Sequence, residues 1–206
     1  MKNVYILGTI HKTHETNKNY GYHHILEEVK QYSPDILCVE IRAQDMTEEN
    51  SYLREYYPAE MVLLKEEYEK NIPIYGFDWR GYEMEQHRMG ERPSNALDIF
   101  TLMQKDPLVK DLIMKRKAFM NPFFETCTLA SCQTDYGVNY EKIQSIEEEL
   151  DQYLCGQGFE NLVTYNRERE ICIQQNIHNI VKNNPHKRIM IITGISHKDK
   201  LVDYLS

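Results

Sequence analysis

Four short apolar runs, each closed by polar or turn-forming residues, punctuate the chain: Val4 to Leu7, Ile36 to Val39, Ile74 to Phe77 and Ile189 to Ile192. Runs this short, without polar alternation, are the pattern of strands covered on both faces, and such strands pair in parallel. Between the first two lies YGYHHILEEVKQYSPD, where Ile25, Leu26 and Val29 recur at helical spacing and Pro34 stands just past the end. Between the second and third, MVLLKEEYEKN follows Pro58, a residue suited to the first turn of a helix. Two strand–helix–strand units with right-handed crossovers predict an α/β fold, a mainly parallel central sheet flanked by helices.

From about residue 79 to 187 the pattern turns helical, with SNALDIFTLMQ, PLVKDLIMKRKAFM, NYEKIQSIEEELDQYL and LVTYNREREICIQQNIHNIVKN as the predicted helices. The expectation is a single α/β domain over residues 1–206, with a helical insert at about 80–187 before the last strand, RIMIIT, and a short final helix from His197. A chain of this length buries a substantial core without a second domain.

Composition narrows the function classes. A net charge of −8 with scattered lysines lacks the basic stripe that phosphate backbones require, so no nucleic-acid partner is expected. No apolar run approaches the ~20 residues of a membrane span, and MKNVYILGT is too short in its apolar part for a signal peptide; a cytoplasmic protein without a membrane partner is the expectation. The five cysteines, Cys38, Cys127, Cys132, Cys155 and Cys172, follow no zinc or redox spacing and are expected reduced. The acidic run Glu147, Glu148, Glu149 and Asp151 reads as a solvated helix face.

The chemistry lies at strand ends. LGTIH follows the first strand and TGISH the last, so His11 and His197 both fall just past a carboxyl end, where parallel α/β sheets bind ligands. Neighbouring strands lie ~4.8 Å apart, so the two histidines converge only if their strands are adjacent or next but one. Ser196 and Asp199 form an S-x-x-D capping box that would place His197 at a helix N-terminus. In PDILCVEIR, Glu40 and Arg42 emerge from an apolar strand; a carboxylate there ligates a metal, acts as a base or pairs with an arginine. Asp78, in IYGFDWRG, either orients a histidine or caps a turn. In TYNREREICIQQNI, Arg167 is a candidate for an anionic group, on a helix whose apolar face is read as Ile171, Ile173 and Ile177. His14, His23 and His24 lie near the first motif but carry no assigned role.

Together LGTIH, PDILCVEIR, YNREREICIQQNI and TGISHKDKLVDYL resemble the TraB, Tiki, erythromycin-esterase and ChaN-like superfamily. Its pattern is a first Gly-x-x-His, a strand-end glutamate with a nearby arginine, an Arg/Asn-bearing helix and a second Gly-x-x-His. The resemblance spans nearly the whole chain, and its specificity lies in the combination. It implies a parallel sheet with both histidines and the glutamate at the carboxyl edge. His11, Glu40, Arg42, Arg167 and His197 carry over as site candidates, Asp78 less closely. The helix motif departs from the family, reading NRERE where many relatives have Arg-Asn or Arg-Asp before a methionine, which leaves Asn166, Arg167 and Glu168 as alternatives. The family includes metal-dependent peptidases, metal-free esterases and haem- or iron-binding proteins.

The leading expectation is a hydrolase cleaving a peptide or ester bond of a peptide or small-molecule substrate. His11, Glu40 and His197 bind a divalent metal (Mn, Co, Zn or Fe) or activate water directly, and Arg42 and Arg167 stabilise negative charge. The rival is a small-ligand or tetrapyrrole-binding protein using the same crevice without turnover, its walls drawn from the 15 tyrosines.

Overall fold

A computed structural model describes residues 3–89, 105–134 and 136–206. Its centre is a four-stranded, wholly parallel sheet of β1 (Val4–Thr9), β2 (Ile36–Arg42), β3 (Ile74–Asp78) and β4 (Ile189–Gly194). The order is β1-β4-β2-β3, so the last strand in sequence sits between the first and second. Each predicted strand forms; β1, β2 and β3 end on the polar residues Thr9, Arg42 and Asp78, and β4 ends on Gly194.

Helices α1 (Tyr22–Tyr32), α2 (Asn50–Tyr56) and α3 (Ala59–Tyr68) fill the connections from β1 to β3. Then α4 (Pro107–Thr126), α5 (Leu129–Thr134), α6 (Tyr136–Gly156) and α7 (Glu160–Asn183) lead back to β4, and α8 (Ile195–Leu205) follows it directly. The predicted helix SNALDIFTLMQ lies outside the described residues. Among the described residues between β3 and β4 there is no strand.

The strand period of two divides the core between the faces of the sheet. Leu37, Val39 and Ile41 join Ile25, Val29, Met61, Leu64, Met190 and Ile192 on the side of α1 and α3. Ile36 and Cys38 join Phe77, Ile189, Ile191, Leu201, Ile173 and Ile177 on the side of α7 and α8. Each such side chain contributes about 1.5–3 kcal/mol on burial, so both layers are held by the same apolar strands. Since α7 carries Ile173 and Ile177 into that layer, the end of the long helical return covers the sheet.

The face of α7 differs from the sequence reading at one position. Ile171 is exposed, whereas Ile173 and Ile177 are fully buried. At 100° per residue, Ile171 points about 200° away from Ile173, and the buried stripe runs through positions four apart.

Candidate active site

The strand order brings His11, His197 and Glu40 to one edge, because β1, β4 and β2 are consecutive neighbours. In β2, the register with β3 shifts between Val39 and Arg42, where Glu40 and Ile41 together oppose Phe77. This irregularity surrounds Glu40 and re-aims the strand end, as bulges do beside functional sites. Glu40 turns toward β4. Its Oε2 accepts from the Gly194 amide at 2.7 Å and the Thr193 hydroxyl at 3.0 Å, and its Oε1 accepts from Arg169 at 3.0 Å. Burial by itself would raise the Glu40 carboxyl, but the nearby His197, His11 and Arg169 and the Gly194 amide outweigh it and hold the group down to about 2.

His11 begins a 3₁₀ turn (His11–Glu15) with φ 46°, a left-handed conformation uncommon for a residue with a Cβ. Three neighbours hold that turn. His14, buried, accepts the Ile10 N–H on Nε2 at 3.0 Å and donates from Nδ1 to the Tyr20 carbonyl at 2.6 Å. Tyr20 in turn donates to the Gly8 carbonyl at 2.8 Å, and Gln133 brackets Gly8 with bonds of 2.9 Å to its N–H and its carbonyl. Burial lowers the His14 imidazole, consistent with this neutral, bridging role. His14 therefore builds the turn and lies outside the site.

The His11 ring is fixed by Glu60, in the first turn of α3, whose Oε1 lies 2.8 Å from Nδ1 and also accepts from the Thr9 hydroxyl at 2.9 Å. Burial alone would lower the imidazole; the hydrogen bond and charge of Glu60, aided by the charge of Glu40, raise it above the ordinary histidine value. On Glu60 burial acts upward, yet the bond to His11 and its charge leave the carboxyl below its ordinary value. With Nδ1 engaged, Nε2 faces Gly194. A Cβ there would come within 2.4 Å of that nitrogen, so the glycine ending β4 is the space in which the ring sits.

His197 lies in the first turn of α8, but not behind the predicted capping box. The helix starts at Ile195 with Gly194 as its N-cap and no side-chain cap, which puts Ser196 inside the helix. The strand enters the helix without a loop, and the capping glycine's N–H goes to Glu40 instead. His197 Nδ1 lies 2.8 Å from Glu170 Oε2, and Nε2 lies 3.2 Å from Arg169 Nη1 and 3.7 Å from Glu40 Oε1. Glu170 also meets Lys200 at 3.4 Å.

Arg169 joins these groups. Its Nε donates to Asp78 Oδ1 at 2.9 Å and its Nη2 lies 2.7 Å from the same oxygen, while Nη2 also donates to Glu40. Asp78 thus pairs with two arginines, Arg169 and Arg80, and also accepts the Trp79 N–H at 2.8 Å; among the described residues no bond joins it to a histidine. Burial works against the Arg169 cation, but Asp78 and Glu40 outweigh it and raise its affinity for the proton.

The sequence reading named Arg167 for this place. Arg167 is exposed and among the described residues pairs with Asp151 alone, at 3.8 Å, and Asn166 and Glu168 are exposed beside it. Arg169 stands four residues before Ile173 and eight before Ile177, on the buried stripe, and that spacing is the signal that separates it from Arg167. Arg42 is likewise not in the site. It is buried in a pocket of its own, bonded to both oxygens of Asp45 at 2.8 and 2.7 Å and to the carbonyls of Met84 and His87 at 2.6 and 3.0 Å. Glu60 and Glu170 escaped the sequence reading because a first-turn glutamate and a charge in a Glu-Arg-Glu run both read as solvated.

The donor set fits a guanidinium better than a metal. Glu40 has both oxygens engaged, and Arg169 already provides the positive charge among Glu40, Asp78 and His197. Among the described residues no group of three His, Cys, Asp or Glu side chains is spaced to hold a metal ion.

No protein-family model matches the chain, and no curated protein matches it. A solved structure that it resembles is a mutant erythromycin esterase, EreC, in its open conformation, at 12% identity and a TM-score of 0.37. The match covers 93% of this chain and 60% of that one, so this chain spans less than two thirds of that enzyme's length. At that score the likeness transfers neither residues nor activity.

Proposed function

We propose that the protein is a hydrolase of ester or amide bonds, with His11 as general base. One observation carries this reading: an imidazole of raised basicity, tied by Nδ1 to a buried glutamate, presents Nε2 at the carboxyl edge beside Gly194. This is the arrangement of a base oriented by a carboxylate.

In the step this implies, a water molecule gives a proton to His11 Nε2 as its oxygen bonds to the substrate carbonyl carbon. The carbonyl electron pair moves onto oxygen. On collapse the bond to the leaving oxygen or nitrogen breaks, and the proton on His11 passes to that leaving group, giving acid plus alcohol or amine. Arg169 supplies the positive charge toward which the oxyanion develops. Glu60 positions His11, while Glu40, Asp78 and the Glu170-bound His197 position Arg169. No step is assigned to a metal.

The test is a screen of 4-nitrophenyl acetate and short peptides with wild type and His11→Ala, both treated with chelator. His11→Ala should lose roughly 10²–10⁴-fold in rate with an unchanged circular dichroism spectrum. Full retention by the variant would overturn the assignment. Activity restored to chelated wild type only by Mn(II), Co(II), Zn(II) or Fe(II) would replace it with metal-dependent hydrolysis.

A further inference from the structure

Beside the Arg169 cluster, the end of β3 carries an aromatic rim that this mechanism does not use. Trp79 follows Asp78 directly, and its indole stacks on Tyr165 with centroids 6.0 Å apart and planes at 26°. Tyr82 meets the indole edge-on at 5.0 Å. The chain turns between them at Gly81, whose φ of 96° suits glycine. Tyr165 stands one helical turn before Arg169, so its ring and the guanidinium share a face of α7.

The rim is open where the site is closed. Trp79 is buried, but Tyr82 is 68% exposed, a large ring held against a stacked pair and turned to solvent. Between them Arg80 forms an ion pair, its Nε 2.7 Å from Asp78 Oδ2, and among the described residues its terminal nitrogens meet no acceptor. A ring surface and the outer edge of a guanidinium, one and two residues past the carboxylate that holds Arg169, match a flat ligand with an anionic substituent.

We propose that Trp79, Tyr82 and Arg80 form a subsite for a planar aromatic group bearing a carboxylate, so that the substrates are esters or amides of ring-containing anions. The inference rests on the hydrolase reading of the neighbouring site, and the two are separable by experiment. Trp79 is the sole tryptophan, so its fluorescence reports this subsite alone.

The experiment titrates the full chain with 4-nitrobenzoate, a planar anion whose nitro group quenches indole on contact. Saturable quenching is expected, displaced by benzoate and not by cyclohexanecarboxylate, which has the charge without the plane. Tyr82→Ala and Arg80→Gln should each weaken binding about three- to tenfold, and Tyr82→Phe should retain it. His11→Ala should bind normally. Quenching that only rises linearly with concentration, or equal displacement by cyclohexanecarboxylate, overturns the subsite. Saturable, Tyr82-dependent binding without hydrolysis of any ester or peptide leaves the subsite standing and removes the hydrolase reading. His11-dependent hydrolysis without saturable quenching does the reverse.

Discussion

The two Gly-x-x-His motifs end adjacent strands and each finds a glutamate on a distant helix, yet they deliver different histidines. His11 sits on a left-handed turn, its side chain 41% exposed, with one nitrogen bonded to Glu60 and the other beside Gly194, without a hydrogen-bond partner among the described residues. His197 sits inside a helix, 14% exposed, with Glu170 on one nitrogen and Arg169 against the other. Both rings have an oriented Nδ1. A base needs an open nitrogen as well as an orienting partner, and only the first motif has one.

The sharpest way to break this contrast is to remove each ring. His11→Ala should lose roughly 10²–10⁴-fold in kcat, as the loss of a general base does. His197→Ala should lose roughly 10–100-fold, the range for a residue that orients another group. Equal losses, measured on the same ester, would mean that both rings touch the reacting atoms.

Arg42 and Arg169 make the same contrast between cations. Arg42 is closed off by Asp45 and two carbonyls, so Arg42→Ala should cost about 3–5 kcal/mol of stability by leaving Asp45 buried without its partner. Denaturant melts should show that loss, while the rate per folded molecule stays near wild type.

A milder change closes the gap between the motifs. Gly194→Ala puts a Cβ into the His11 ring, and a displacement of about 1 Å in a reacting group costs on the order of 100-fold in rate. The expected result is a low kcat with nearly normal thermal stability. An unchanged kcat would place the reacting nitrogen elsewhere.

Acidity gives a finer test. A base works unprotonated, and Glu60 raises the His11 value, so the rate should rise with pH through a midpoint above the ordinary ~6.5. Glu60→Gln removes the charge that favours the protonated ring, so the midpoint should move to lower pH as the maximal rate falls. An unmoved midpoint would assign the titration to another group. The smallest effect belongs to Arg167→Ala, which should change stability by less than about 0.5 kcal/mol and leave the rate alone, since Arg167 is exposed.

Much of this was legible beforehand, for definite reasons. The strands were readable because doubly covered strands are continuous apolar runs, and Ile36 to Val39 is one whatever surrounds it. His11, Glu40 and His197 were readable because a polar residue just past such a run sits at a sheet's carboxyl edge by chain geometry alone. Arg169 is readable in principle from its spacing to Ile173, whereas an apolar face that includes the exposed Ile171 puts Arg167, four residues before it, on the same side.

The sequence by itself determined the α/β class, the strand ends and the residues delivered there, since strand and helix periods are local properties of the chain. Only the tertiary structure decided that β4 inserts between β1 and β2, because pairing between distant segments depends on packing that no local pattern encodes. It also decided which charges act together. Glu60 and Glu170 look like surface residues until α3 and α7 pack against the sheet and bring them to His11 and His197, where bonds of 2.8 Å turn two similar motifs into one open imidazole and one enclosed.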